Sequence, residues 1–134
     1  MNPDRLRLVG ARRVLVVDDD RATREMFRTA LRMGGFEVRL ASDGVSALSQ
    51  VEQQLPDLVV LDLDLPLLNG IAVHEELAAR ERTRRVPVVI VTGTEWQSPF
   101  PAFVTLRKPI STERLIDAVT TATSRSISER KSFL

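Results

Sequence analysis

Two patterns of apolar residues alternate along this chain. Short continuous apolar runs lie at 14–17, 58–61 and 87–91, with a briefer one at Val104 and Leu106. Such runs are typical of strands buried on both faces of a sheet. The segment 36–40 instead alternates apolar and polar side chains, which predicts a strand at a sheet edge.

Between these strands, apolar residues recur at helical spacing and predict four helices. The first ends at the pair Gly34-Gly35, the second follows the turn and cap signal Ser42-Asp43-Gly44, and the third spans about Gly70 to Ala79. Ser111 or Thr112 can cap the last. The inner faces are expected to carry Phe27 and Leu31, then Val45, Leu48 and Val51, then Val73 and Leu77, and finally Leu115 and Val119.

Strands that alternate with helices predict an α/β fold, in which a parallel sheet has right-handed crossovers and helices on both faces. We expect one folded domain at 13–123, a flexible leader at 1–12 and a polar, frayed C-terminal tail at 124–134, with no second domain. In such sheets ligands bind outside the carboxyl ends of the strands.

Composition removes several classes of function. The chain has 134 residues, a formal net charge of +1 and no cysteine, which excludes disulfide frameworks and thiolate chemistry. Basic residues are scattered, so neither nucleic acid nor a membrane surface is an expected partner. Because no signal peptide or membrane-spanning run is present, the expected location is cytoplasmic.

Polar residues follow four of the five predicted strands. They are Asp18 and Asp19 after the first strand, Asp62 after the third, Thr92 after the fourth and Lys108 after the fifth. Converging carboxylates repel one another, so this arrangement predicts a hard divalent cation, Mg²⁺ or Mn²⁺, among them. A lysine and a hydroxyl opposite that cation suit a phosphoryl group, and the pattern therefore indicates phosphoryl transfer.

The segments VLVVDDD, PDLVVLDLDLPLLNG, VPVVIVTG and RKP resemble, in order, the motifs of response-regulator receiver domains of two-component signalling. The resemblance covers residues 13 to 123. It implies a flavodoxin-like, doubly wound sheet of five strands in the order 2-1-3-4-5. It also implies a stand-alone phosphorylation switch that catalyses only its own phosphorylation and dephosphorylation.

By the same resemblance, Asp62 is the phosphoacceptor and accepts the group from a phosphohistidine donor, either a sensor histidine kinase or a phosphotransfer protein. Its metal would be held by Asp62, by Asp19 directly, by Asp18 largely through water and by the backbone carbonyl of Asp64. Thr92, the N–H of Gly93, and Lys108 before a cis Pro109 would bind the phosphoryl group. A monomer or weak dimer with an unidentified downstream protein partner is expected.

The stretch between Thr92 and Lys108 departs from the family pattern. It is short and contains Pro99 and Pro101, so a fourth helix of normal length is not expected there. We expect Trp96 and Phe100 to cover the core that this helix would have buried. The position three before Lys108, often aromatic in the family, is Thr105; Trp96 and Thr105 are therefore the candidate readout residues, and we expect phosphorylation to reorder the 93–103 loop.

Other interpretations remain open at this stage. Asp19 or Asp20 can serve simply as a helix cap. Asp62-Leu63-Asp64 also resembles the nucleophile motif of haloacid-dehalogenase-type phosphatases, and the altered loop is compatible with a protein-binding module that needs no phosphate. Asp64 adds a carboxylate at the pocket mouth that could alter dephosphorylation, and the lone His74 is expected at the surface of the third helix.

Overall fold

The computed structural model describes residues 11–132, and their side chains as far as residue 124. Most of the expected leader therefore lies outside the described residues. The elements alternate as expected, with strands β1 Arg13–Val17, β2 Glu37–Ala41, β3 Leu58–Leu61, β4 Val88–Thr92 and β5 Val104–Arg107, and helices α1 Arg21–Met33, α2 Gly44–Gln53, α3 Gly70–Ala79 and α4 Thr112–Ser132.

Residues 11–132 form one five-stranded sheet in the order β2-β1-β3-β4-β5, and every neighbouring pair is parallel. This confirms the predicted topology, with β2 at an edge. Val17 is in register with Leu61, and Leu61 with Ile90. The residues that follow β1, β3 and β4 therefore emerge side by side at one edge of the sheet.

Alternate residues of the strands supply two apolar cores, one on each face of the sheet. One core joins the sheet to α1 and α4 through residues such as Phe27, Leu31 and Leu115. The other joins it to α2 and α3 through Ala47, Val73 and Leu77. With both faces covered, the edge formed by the strand ends is where polar side chains can gather.

All four helices begin at a side-chain cap. Asp20, Asp43 and Asn69 each accept a hydrogen bond from the backbone N–H three residues further on, at the starts of α1, α2 and α3. The hydroxyl of Ser111 accepts one from the Arg114 N–H at the start of α4, at 3.1 Å. Of the two caps considered for α1, Asp20 has that role, which leaves Asp19 free of it.

One expectation for the helices was wrong. Val45 is 57% exposed rather than on the inner face of α2, because that face consists of Gly44, Ala47 and Val51. A Cβ on Gly44 would lie 2.1 Å from the carbonyl oxygen of Leu68, so only glycine permits this approach. In the polar tail expected from residue 124, α4 continues as far as Ser132.

Residues 93–103, the β4–β5 segment, contain no helix, as predicted from their prolines. The expected covering role of Trp96 is wrong, because its side chain is 52% exposed. Ala102 and Phe103 instead pack against the two cores, and Phe100 packs edge-to-face on the His74 ring of α3. The residues near the end of the segment, rather than its tryptophan, therefore pack against the rest of the fold.

Candidate functional site

The carboxyl ends of β1, β3, β4 and β5 bring together the polar residues that the sequence placed there. Asp18 and Asp62 are 1% and 5% exposed, and Thr92 is also buried. Lys108 reaches them from the residue after β5, and Asp19 lies exposed beside Asp18. The predicted convergence of acids, hydroxyl and lysine is therefore present.

Asp62 is held by three donors. Its Oδ1 accepts a hydrogen bond from the Thr92 hydroxyl at 3.0 Å and another from the backbone N–H of Asp64 at 3.0 Å. Its Oδ2 accepts one from the ammonium group of Lys108 at 3.2 Å. A buried carboxylate with partners on both oxygens has a fixed orientation, and here it faces the cleft between the strand ends.

The same ammonium group also binds Asp18. Lys108 Nζ donates to Asp18 Oδ2 at 2.6 Å, and Asp18 Oδ1 accepts from the backbone N–H of Asp20 at 2.9 Å. The peptide bond between Lys108 and Pro109 is cis, as the resemblance implied. One cation therefore serves two buried carboxylates.

Burial and charge move the pKa values of this pair. Burial raises the pKa of the Asp18 carboxyl above its ordinary value, although its bond to Lys108 opposes the shift. Burial alone would lower the pKa of Lys108, but the bond and charge of Asp18, together with the charge of Asp62, outweigh it and raise that pKa. Lys108 is consequently a permanent positive charge in this cleft.

The acidic cluster fits a divalent metal. Asp18, Asp19 and Asp62 each offer a carboxylate oxygen, and these oxygens lie within 4.8 Å of one another. Among the described residues no hydrogen-bond or ion-pair partner of the Asp19 carboxylate is found. A set of hard oxygen donors with one unengaged carboxylate suits Mg²⁺ or Mn²⁺, which bind few carboxylates and keep several waters.

Two further predicted residues border the cleft. Asp64 contributes its backbone N–H to Asp62, whereas its side chain is exposed. Gly93 follows Thr92 at the surface, and a Cβ added there would meet only the Lys108 Cβ, at 3.9 Å. A methyl group at Gly93 would therefore be in ordinary van der Waals contact with Lys108.

Sequence reasoning missed two supporting residues. Arg24 of α1 donates a hydrogen bond from its guanidinium to the backbone carbonyl of Asp18 at 2.8 Å. Gly70 starts α3 so close to β3 that a Cβ would lie 2.1 Å from the Asp62 carbonyl oxygen and 2.5 Å from the Leu63 Cα. The Asn69-Gly70 pair signalled the helix start, but not this contact with the backbone of Asp62.

A family model described as "Response regulator receiver domain" matches residues 14–120. The chain belongs to this family. A similar curated protein is the response regulator MprA of Mycobacterium sp. (strain KMS), 43% identical over 83 residues, which are 62% of this chain and 35% of that protein. The aligned part of the chain therefore spans about a third of the length of the curated relatives it matches.

Solved receiver structures are also similar. A sensor protein from Polaromonas sp. JS666 superposes with a TM-score of 0.81 and 27% identity, covering 87% of this chain and 99% of that one. The receiver domain of a sensor histidine kinase from Pseudomonas aeruginosa PAO1 gives a TM-score of 0.79 at 26% identity, covering 86% and 99%. That structure has a magnesium ion coordinated in its active-site cleft.

This receiver domain differs from expectation at His74. The side chain is 2% exposed rather than on the surface, because the β4–β5 segment folds over it. The candidate readout residues Trp96, on the segment, and Thr105, on β5, are both exposed.

Within residues 11–132, none of the helices combines the length and hydropathy of a membrane span.

Proposed function

We propose that this receiver domain is a phosphorylation switch that accepts a phosphoryl group on Asp62 from a phosphohistidine donor. One observation carries the proposal: the buried Asp62 carboxylate faces the Lys108 ammonium at 3.2 Å and the Thr92 hydroxyl at 3.0 Å. A carboxylate held beside a fixed cation and a hydrogen-bond donor is arranged for phosphoryl transfer.

In the proposed reaction, a carboxylate oxygen of Asp62 forms the new P–O bond as the donor's P–N bond breaks. The donor imidazole leaves with the bonding electron pair and takes a proton. Lys108 and the hydroxyl of Thr92 face the position of the phosphoryl oxygens, where a positive charge and a donor stabilise the charge of the transition state. The Gly93 N–H supports the same oxygens.

Asp18, Asp19, Asp62 and the backbone carbonyl of Asp64 would hold a divalent ion. When bound, Mg²⁺ or Mn²⁺ neutralises these carboxylates and polarises phosphoryl oxygens. Asp19 has no carboxylate partner within the described part of the chain, which supports direct ligation, and the bonds that occupy both oxygens of Asp18 support contact through water. Lys108 and Thr92 meanwhile keep Asp62 oriented.

The proposed donor is a sensor histidine kinase or a phosphotransfer protein. The relatives named response regulators and the receiver attached to a histidine kinase support this class of partner. The proposed chemistry modifies the protein itself, so turnover of an external phosphate ester is not expected. In the phosphatase alternative the motif would end the first strand of the core, whereas here Asp62 follows β3, which supports the switch.

The test is incubation with acetyl phosphate and Mg²⁺, followed by mass measurement of the intact protein. Wild type should gain one phosphoryl group, and Asp62→Ala should gain none. Asp57→Asn is a matched control, because Asp57 precedes the same strand at its opposite end and accepts from the Arg13 N–H at 2.8 Å. Equal incorporation in wild type and Asp62→Ala would refute Asp62 as the acceptor.

A second candidate function is a protein-binding module that does not require phosphate. The exposed Trp96 on a segment without a helix favours it, since an exposed tryptophan is a common anchor in protein interfaces. Two variants distinguish these functions. Loss of the cellular output in Asp62→Ala supports the switch, whereas an output kept in Asp62→Ala but lost in Trp96→Ala supports the module.

A further inference from the structure

His74 ties the β4–β5 segment to α3. Its Nδ1 lies 2.7 Å from the hydroxyl oxygen of Ser98, and its Nε2 lies 3.2 Å from the carbonyl oxygen of Pro101. The Phe100 ring packs on the imidazole edge-to-face, with centroids 5.9 Å apart. A ring that contacts three residues of a four-residue stretch fixes residues 98–101 onto the helix. We call this set of contacts the histidine clasp.

The contacts define the tautomer of the neutral ring. A carbonyl oxygen only accepts, so Nε2 carries the hydrogen and donates to Pro101. In the neutral ring Nδ1 then accepts from the Ser98 hydroxyl. The oxygen of Ser98 also accepts from the backbone N–H of Phe100 at 3.3 Å. The two ring nitrogens of His74 therefore have these partners only when the segment lies in this position.

The start of the segment is tied to the phosphorylation site instead. Thr92, which donates to Asp62, accepts from the Thr94 N–H at 3.3 Å. The hydroxyl of Thr94 in turn accepts from the Trp96 N–H at 3.2 Å. Hydrogen bonds to the hydroxyls of Thr92 and Thr94 thus connect Asp62 to the backbone of Trp96.

We propose that His74 is a positioning residue that immobilises residues 98–101, so that a change at Asp62 moves residues 94–97 alone and is displayed at Trp96. The coupling to Asp62 rests on the proposed function, whereas the clasp does not. Residues 94–97 have the properties of a moving element, because Glu95 and Trp96 are exposed and the backbone N–H groups of Thr94 and Trp96 are held only by threonine hydroxyls, at 3.3 and 3.2 Å. By holding one end of the β4–β5 segment in place, the clasp replaces the anchoring that a helix would give there.

Few charges surround the clasp. Glu75 and Glu76 flank His74 on α3, and Glu76 is paired with Arg80 at 3.1 Å. In the segment, Glu95 lies 3.8 Å from Arg107. Burial lowers the pKa of His74, and its bond to Pro101 only partly opposes this. The neutral ring is therefore the form present at neutral pH.

The clasp is tested first in the unphosphorylated protein by hydrogen exchange. Ser98→Ala and His74→Leu should each lower the protection factor of the Phe100 amide at least about ten-fold, since each removes a hydrogen bond from that stretch. Glu75→Gln, an exposed neighbour on the same helix, is the matched control and should leave it unchanged. Unchanged protection in both clasp variants would overturn the clasp.

A conservative variant separates positioning from bulk packing. His74→Gln keeps a side-chain N–H donor for Pro101 and should restore much of the protection lost in His74→Leu. Protection in wild type should also fall between pH 6.5 and 5, while protection in His74→Gln should not change with pH. A His74→Gln protein as unprotected as His74→Leu, with no pH dependence in wild type, would assign His74 a packing role alone.

The coupling is tested with Mg²⁺ and beryllofluoride, a phosphoryl mimic. Trp96 is the only tryptophan in the chain, so emission reports this position directly. When beryllofluoride binds, the fluorescence emission of Trp96 in the wild type should change, and hydrogen-exchange protection should change at residues 94–97 only. In Ser98→Ala the changes in protection should extend through residues 98–103. Changes throughout 93–103 in wild type would overturn the coupling. If acetyl phosphate adds no mass, the proposed function and the coupling both fail, and exchange in the free protein still decides the clasp.

Discussion

Lys108 lies closer to Asp18 than to the carboxylate proposed to be phosphorylated. Its ammonium nitrogen is 2.6 Å from Asp18 Oδ2 and 3.2 Å from Asp62 Oδ2. The two acids therefore share one cation, and Asp18 holds it more closely. A lysine placed between two buried carboxylates restrains both, and it is already in position for a negatively charged group arriving at Asp62.

Replacing Lys108 should cost reaction rate. Lys108→Gln keeps a polar side chain but removes the charge opposite the developing phosphoryl charge, so phosphorylation by acetyl phosphate should slow by about 100-fold or more. Intact-protein mass against time gives the rate. Arg114→Gln, an exposed cation at the start of α4, is the control. A rate for Lys108→Gln within about three-fold of wild type would contradict the role given to Lys108.

Divalent metal should stabilise the folded protein. A ligand that binds only the native state adds about 2.7 kcal/mol when its concentration is 100 times its dissociation constant. Tm should therefore rise with Mg²⁺ and saturate, and the rise should shrink strongly in Asp19→Asn because a proposed metal ligand is lost. Asp117→Asn, an exposed acid on α4, controls for general charge effects. An equal rise when NaCl replaces Mg²⁺ at matched ionic strength would argue against a site.

Two glycines beside the site should differ in how much stability they lose on replacement by alanine. In Gly70→Ala the new methyl group would overlap the Asp62 backbone, so we expect a loss of about 1–3 kcal/mol in the free energy of unfolding and impaired phosphorylation. In Gly93→Ala the methyl group makes only ordinary contact, and the change should stay within about 0.5 kcal/mol. Urea unfolding measures both. Equal losses would show that the close approach at Gly70 is unimportant.

Stability should depend on pH through His74, which is the only histidine in the chain. Its folded pKa is below the ordinary 6.5 because burial disfavours the cation. Between pH 6.5 and that lower pKa the unfolded state binds the proton first, so stability falls as the pH falls; above pH 6.5 this contribution is fully present. The difference in unfolding free energy between wild type and His74→Gln should therefore vary only below about pH 6.5. A constant difference from pH 5 to 8 would contradict the shift.

The sequence alone determined the order of elements, the parallel sheet and the convergence of Asp18, Asp19, Asp62, Thr92 and Lys108. These follow from local periodicity and from one topological rule, because the ends of neighbouring parallel strands must meet at one edge. It also determined that 93–103 lacks a helix, since the restriction that proline places on the backbone is local.

Tertiary structure decided the contacts between elements. Val45 has the right spacing for an inner position, yet the close approach of α2 to Leu68 turns Gly44 and Ala47 inward instead. His74 looked like a surface residue because nothing in its own helix shows that a distant segment will cover it, and Trp96 is exposed because Ala102, Phe103 and Phe100 make the covering contacts. The burial of a side chain depends on which residues from distant parts of the chain pack against it, and the local spacing of apolar residues in a helix or strand does not encode those contacts.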